Sequence, residues 1–165
     1  MMTELSRYIG PDVDVPAGDI GVGGREIGFL FGQYKRMAGE HSGVLTGKGY
    51  GWGGSLIRPE ATGYGAVYAL KCCVDEQGKS MEGELKSGQM NNTSPQGLRV
   101  LLSGSGNVAQ FAAEKCLHFG AKVISFSDSN GTIIEPNGFT REQVDQVVAI
   151  KTARGRCSEY KSDTG

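Results

Sequence analysis

A chain of 165 residues can bury the core of one domain or carry pieces of two. Its 38% hydrophobic and 21% charged residues are ordinary globular usage and exclude a wholly disordered chain. A net charge of −1 gives no electrostatic basis for gripping nucleic acid or an anionic membrane. Glycine is the outlier: 27 residues without a collagen-like period, clustered in short stretches that suit backbone brought close to a ligand. Cys72, Cys73, Cys116 and Cys157 form no C-x-x-C pair and no zinc spacing, so reduced thiols in a cytoplasmic, metal-free protein are expected. No run approaches the length of a membrane span, and the N-terminus lacks the apolar core of a signal peptide.

Met2, Leu5 and Ile9 predict a first helix, stopped by Gly10-Pro11, and a glycine-bearing loop follows over 12–24. Ile27, Leu30, Phe31 and Tyr34 then mark one face of a second helix from Arg25, with Lys35 and Arg36 in its last turn. The glycine-rich stretch 43–54 leads to Arg58-Pro59-Glu60, where proline and glutamate suit the opening of a third helix closing at Gly78. Residues 87–97 read as a polar surface loop. The apolar run 98–103 suits a buried parallel strand, 104–106 a turn, 107–119 a helix closed by Gly120, and 121–127 a second strand. Thr140 with Gln143 makes a capping box for a last helix bearing Val144, Val147 and Val148 on one face. His41 and His118 stand apart from any metal-like cluster and are expected at the surface or at helix ends.

The stretch that carries chemistry is Gly104-Ser105-Gly106-Asn107-Val108-Ala109, a G-x-G-x-x-A sequence. A strand precedes it, a helix and a second strand follow it, and Asp128 closes that second strand. This is the context of a dinucleotide-binding fingerprint, whose acidic residue is expected about 20 positions on. Gly104 permits the tight turn, Gly106 lets a pyrophosphate approach the backbone, and Ala109 keeps helix and strand close. N–H groups at the helix start, aided by its dipole, would hold the phosphates. Asp128 reads two ways. Its carboxylate could accept from a ribose 2′-hydroxyl, favouring NAD. Alternatively, Ser127, Ser129 and Lys151 could supply donors and charge for a 2′-phosphate. The physical chemistry alone leaves both open.

Five blocks in order resemble glutamate dehydrogenases. They are Val15-Pro16-Ala17-Gly18-Asp19-Ile20-Gly21-Val22-Gly23; Gly43-Val44-Leu45-Thr46-Gly47-Lys48; and Gly53-Gly54-Ser55-Leu56-Ile57-Arg58-Pro59-Glu60-Ala61-Thr62-Gly63-Tyr64-Gly65. The fingerprint and Ser127-Asp128-Ser129 complete the set. The resemblance implies an α/β chain: a Rossmann-like dinucleotide-binding βαβ unit preceded by the C-terminal part of an α/β substrate (dimerisation) domain. Residues 1–56 would end the substrate domain, and 57–165 would begin the cofactor domain.

It also implies oxidative deamination of L-glutamate to 2-oxoglutarate and ammonia, or the reverse, in a homo-oligomer that is hexameric at full length. By block matching, Asp19 would transfer protons at the reacting carbon and nitrogen, and the backbone at Gly18 would border substrate, with Thr46 and Arg58 on the substrate side. Thr62, Gly104, Ser105, Gly106, Asn107, Val108, Asp128, Ser129 and Lys151 would serve the dinucleotide. Ser127-Asp128-Ser129 and Ile150-Lys151 resemble the NADP-using branch, so NADP is expected in preference to NAD, with Lys151 near the 2′-phosphate.

Blander roles remain in view for several of these residues. Asp19 could cap the helix near Arg25 or fix its own turn, Asn107 could be an N-cap, and Lys151 an ordinary exposed lysine. The glycine-rich block carrying the family's substrate-binding lysines and the C-terminal part of the cofactor domain are absent. The chain therefore reads as a segment that does not turn over glutamate alone. Residues 87–97 look like an insertion, either a lineage-specific loop or retained non-coding sequence. Two other readings stay open: a leucine, valine or phenylalanine dehydrogenase, and a non-catalytic dinucleotide-binding or oligomer-assembly module.

Overall fold

A computed structural model describes residues 1–82 and 97–162. The polar loop expected over 87–97 lies outside the described residues, apart from Gly97. The chain forms two compact units, Met1–Arg58 and Pro59–Gly165.

In the first unit, α1 (Met2–Leu5) is shorter than the spacing to Ile9 predicts. Beyond it the Arg7 and Tyr8 N–H groups bond three residues back, to Glu4 and Leu5, so the chain tightens into turns instead of extending the helix. The next helix, α2 (Gly24–Ala38), buries Ile27, Phe31 and Tyr34 and ends at Gly39. Met2, Val44 and Leu45 complete that core, with Leu30 packed at its edge. The start of α2 is capped from inside the helix, as the Glu26 carboxylate accepts the Gly23 N–H at 3.0 Å. That bond, reinforced by Arg25, holds the Glu26 carboxyl down at about 2.

The second unit comprises α3 (Ala61–Glu76), β1 (Arg99–Leu101), α4 (Asn107–His118), β2 (Lys122–Asp128), β3 (Gly131–Ile134), α5 (Arg141–Thr152) and a 3-10 turn over Cys157–Glu159. Pro59 precedes α3 and does not open it; Glu60 is the N-cap, and its carbonyl accepts from the Tyr64 N–H at 2.9 Å. The sheet has the order β1-β2-β3, with β1 parallel to β2 and β3 antiparallel to it. The strand pair around α4 is the expected βαβ unit.

Two points differ from the sequence reading. First, β1 is only partly buried: Leu101 is 72% exposed. Side chains alternate along a strand, so Arg99 and Leu101 face away from the core into which Val100 packs. Second, β3 was not anticipated. Ser129 and Asn130 link β2 back into a hairpin in which Asp128 pairs with Gly131 and Ser127 with Thr132.

The core joins α3, α4, α5 and the sheet. On α4, Ala109, Ala112, Ala113 and Cys116 share one helical face and are all buried. Burial pushes the Cys116 thiol up to about 11. Phe126 meets Phe139 edge-on at 5.1 Å, and Phe139 meets Tyr160 at 5.5 Å. The Thr140–Gln143 capping box forms as expected: Gln143 N donates to Thr140 Oγ1 at 3.2 Å, and Thr140 N donates to Gln143 Oε1 at 2.8 Å. Val144 and Val147 below it are buried.

The small residues of α4 let α3 approach so closely that a β-carbon on Gly63 would lie 2.7 Å from the Val108 carbonyl oxygen and 2.8 Å from the Ala112 nitrogen. Both obstacles are backbone, so neither can swing aside. Gly63→Ala is expected to destabilise the chain by about 1–3 kcal/mol. Gly65→Ala, whose added carbon meets open space, should be neutral or stabilise by up to about 1 kcal/mol. Denaturant midpoints of the two variants, measured side by side, check this.

Candidate functional site

The second unit gathers most of the predicted cofactor residues around the turn after β1. Gly104 takes a φ of +100°, a conformation open to glycine and strained for other residues. The turn is fastened to the end of β2 by a reciprocal pair: Gly104 N donates to Ser127 Oγ at 2.8 Å, and Ser127 N donates to the Gly104 carbonyl at 3.1 Å. One step earlier, Leu102 N donates to Ser125 Oγ at 3.2 Å, and that hydroxyl donates to the Leu102 carbonyl at 3.3 Å. The β1–β2 register shifts between Val100 and Leu101. Beyond that shift, serine hydroxyls supply pairing that a regular ladder would have made through the backbone. Ser125 was missed in the sequence, although a serine inside the apolar run Val123-Ile124-Ser125-Phe126 is a polar residue in need of a partner.

Ser105 is buried, and its carbonyl accepts from Gln110 Nε2 at 2.9 Å, so it belongs to the turn's framework. The next residue, Gly106, is the N-cap of α4 and brings no side chain to the first-turn N–H groups. Space beside it is open, which fits an approaching anion. Asn107 is the first residue of the helix and not its N-cap, which corrects the capping alternative. Its Nδ2 donates to the Pro59 carbonyl at 2.7 Å. That bond and the Gly63 contact bring the starts of α3 and α4 side by side, so Thr62, exposed in the first turn of α3, shares this corner with Asn107 and Val108. Together these groups make a corner suited to a pyrophosphate: a glycine turn and the adjacent, exposed starts of α3 and α4.

Asp128, at the end of β2, is a structural hub. Its Oδ2 accepts from Cys157 N at 2.8 Å and from Lys151 Nζ at 3.0 Å, and its Oδ1 accepts from Asn130 N at 2.8 Å. These donors, with the Cys157 amide foremost, hold the carboxyl well below the usual carboxylate range. Lys151 is not the ordinary exposed lysine of the bland reading: it also donates to the Gly155 carbonyl at 2.9 Å. Ser129 remains exposed beside this hub. The Cys157 contribution was invisible in sequence, because it is a backbone bond spanning 29 positions.

The other predicted residues belong to the first unit. Asp19 is exposed, and its Oδ1 accepts from the Ile20 N–H at 2.8 Å while its carbonyl accepts from Val22 N at 2.8 Å. The cap of α2 is supplied by Glu26, so the helix-capping alternative for Asp19 fails and the local turn bond remains. A β-carbon on Gly18 would lie 2.6 Å from the Val22 carbonyl oxygen. Thr46 is exposed, and its N–H donates to the Pro16 carbonyl at 3.1 Å, which ties its turn to the loop carrying Gly18 and Asp19. Arg58, exposed, closes the unit.

A family model described as "Glutamate/Leucine/Phenylalanine/Valine dehydrogenase" matches residues 53–165, and one described as "Glu/Leu/Phe/Val dehydrogenase, dimerisation domain" matches residues 1–36. Among curated relatives, an NADP-specific glutamate dehydrogenase of Giardia intestinalis is 58% identical over 162 residues, covering 97% of this chain and 33% of that protein. The NADP-specific glutamate dehydrogenase of Escherichia coli K12 is 49% identical over 166 residues, covering 100% and 34%. In solved structures, a glutamate dehydrogenase of Plasmodium falciparum matches with a TM-score of 0.78 at 47% identity, over 96% of this chain and 31% of that one. A hetero-hexameric glutamate dehydrogenase of Thermus thermophilus matches with a TM-score of 0.73 at 26% identity, over 94% and 34%. The chain thus spans about a third of the length of the curated relatives it matches.

The Asp128 hub sets a pH dependence. A carboxyl whose folded pKa is depressed contributes stability above its ordinary value, near 4, and that contribution disappears as pH falls through the folded value. Thermal midpoints should therefore drop below about pH 4. Glu26 adds to the drop in the same direction. In Asp128→Asn the loss should be shallower, from a lower starting midpoint, and midpoints collected from pH 3 to 7 for both proteins check the difference.

Proposed function

The chain belongs to the glutamate/leucine/phenylalanine/valine dehydrogenase family, and from that premise we propose that it carries the acid–base loop and phosphate-binding turn of an NADP(H)-linked glutamate dehydrogenase. The reaction would be oxidative deamination of L-glutamate to 2-oxoglutarate and ammonium, or its reverse. The observation that carries the NADP reading is the state of Asp128. A free carboxylate at this strand end would repel a 2′-phosphate. Here the carboxylate is engaged by a lysine ammonium and two backbone N–H groups. The strand end is left neutralised, with the Ser129 hydroxyl exposed beside it. The identities to proteins named NADP-specific glutamate dehydrogenase support the same reading.

In this function Gly104, Ser105, Gly106, Asn107 and Val108 cradle the pyrophosphate through main-chain N–H groups and the α4 dipole. Thr62, beside them at the start of α3, orients the dinucleotide. Lys151 and Ser129 meet the 2′-phosphate. The nicotinamide supplies a hydride acceptor for the α-hydrogen of glutamate, or a donor in the reverse direction. Asp19, on its exposed loop, moves protons between water and the substrate nitrogen at the reacting carbon, as a positioned carboxylate can. The Gly18 backbone, Thr46 and Arg58 border the substrate.

A homo-oligomeric assembly in the cytoplasm, hexameric at full length, completes the proposal. The match of residues 1–36 to a dimerisation domain supports the assembly, as do exposed apolar side chains at Tyr8, Val13, Ile20 and Phe29. Among the described residues no helix is long and apolar enough to cross a membrane.

Fluorescence titration of the purified chain with NADPH and NADH is the first test, and NADPH should bind more tightly. Lys151→Glu should weaken NADPH at least tenfold, about 1.4 kcal/mol, with a smaller effect on NADH; unchanged NADPH affinity would remove Lys151 from the phosphate site. In a glutamate-oxidising chain containing this segment, Asp19→Asn should lower kcat by about 10²–10⁴-fold with NADPH affinity intact. A faster reaction with leucine, valine or phenylalanine than with glutamate would move the chain to another branch of its family.

A further inference from the structure

Lys48 is only 6% exposed, yet among the described residues no carboxylate lies within ion-pair distance of it. Burying an ammonium without an anionic partner is costly, and a leucine or methionine would fill the same volume without that cost. The compensation visible in the structure is of two kinds. Lys48 Nζ donates a short hydrogen bond to the Leu45 carbonyl, and it stands 5.5 Å above the centre of the Phe31 ring. Leu45 is itself buried and lies in neither helix nor strand, so no ladder serves its carbonyl. The lysine supplies the donor that this turn lacks.

The turn so fastened has a particular exposure pattern. Val44, Leu45 and Lys48 are buried, while Thr46 and Gly47 at the tip are exposed. Thr46 is therefore held out to solvent from a buried base. Its N–H in turn donates to the Pro16 carbonyl, three residues before Asp19. A continuous series of contacts runs from Phe31 on α2 through Lys48, Leu45 and Thr46 to the loop that carries Gly18 and Asp19.

We infer that Lys48 is a positioning residue: its buried ammonium locks the 45–48 turn onto α2 and so fixes Thr46 and the Asp19 loop relative to one another. The inference rests on the proposed reading of Thr46 and Asp19 as substrate-side residues. It assigns Lys48 no contact with substrate.

Lys48→Met keeps an unbranched stem over Phe31 and removes the donor, whereas Lys48→Gln restores an N–H donor without the charge. Amide hydrogen exchange in this chain should show the Thr46 N–H exchanging at least tenfold faster in Lys48→Met, with the Phe31 and Tyr34 amides within twofold of wild type. Lys48→Gln should return Thr46 most of the way. In a glutamate-oxidising chain containing the segment, Lys48→Met should lower kcat at least tenfold while the NADPH dissociation constant is unchanged, and Lys48→Gln should recover part of the loss.

Unchanged exchange at Thr46 in Lys48→Met would overturn the inference. So would acceleration spread evenly along α2, or unfolding of both variants, since either would make Lys48 a general core residue. A wild-type chain without glutamate turnover would defeat the proposed activity, and the exchange experiment would still decide the role of Lys48.

Discussion

The second unit depends on one carboxylate. Asp128 ends the central strand, and the donors it gathers come from three directions: the β2–β3 connection through Asn130, the last turn of α5 through Lys151, and the 3-10 turn through the Cys157 amide. A charged acceptor makes stronger hydrogen bonds than a neutral one, and multiple N–H donors favour the ionised form. The strand end, the helix and the returning chain therefore share one fixed point. Because the Gly104 turn is pinned to the residue just before it, through Ser127, the proposed phosphate corner inherits its position from the same place.

The two units organise their exposed loops by a common device, side chains standing in for missing backbone partners. In the second unit the Ser125 and Ser127 hydroxyls continue the β1–β2 pairing past the shift in register. In the first, Lys48 satisfies a turn carbonyl that no strand could reach. Each arrangement fastens a short stretch of backbone beside exposed residues, which suits a binding loop. The polar groups involved are matched with partners, which is how such groups avoid a net cost.

The legible parts of the fold were those specified by neighbours in sequence. Thr140 and Gln143 are three residues apart, and the capping box formed as read. The Gly104–Val108 turn is contiguous, and its flanks are marked by the apolar runs on either side and by the glycine that closes the helix. The β3 strand was missed although its signal is local: Asn130-Gly131 before Thr132-Ile133-Ile134 is a turn followed by a β-branched run. What could not be read lies across long separations. The Asp128–Cys157 bond spans 29 positions, and nothing local distinguishes that cysteine; Lys151, 23 positions from Asp128, stands out in the sequence as a donor to a 2′-phosphate and not as the partner of Asp128. Lys48 was read as part of a family block, and its charge gave no hint of burial. The extent to which α3 and α4 approach was likewise hidden, because Gly63 and Ala112 signal closeness only once the helices are known to cross.

The Asp128–Lys151 pair also constrains how such a chain can evolve. The same carboxylate that would set the preference for one dinucleotide over another fastens the returning backbone at Cys157 and neutralises a largely covered lysine. A substitution at either end that altered recognition would at once leave the other charge without its partner. On the role proposed for this strand end, cofactor preference could not drift one residue at a time without passing through weakened folds. Change would have to arrive as paired substitutions, or after stabilising ones elsewhere have made room for the loss.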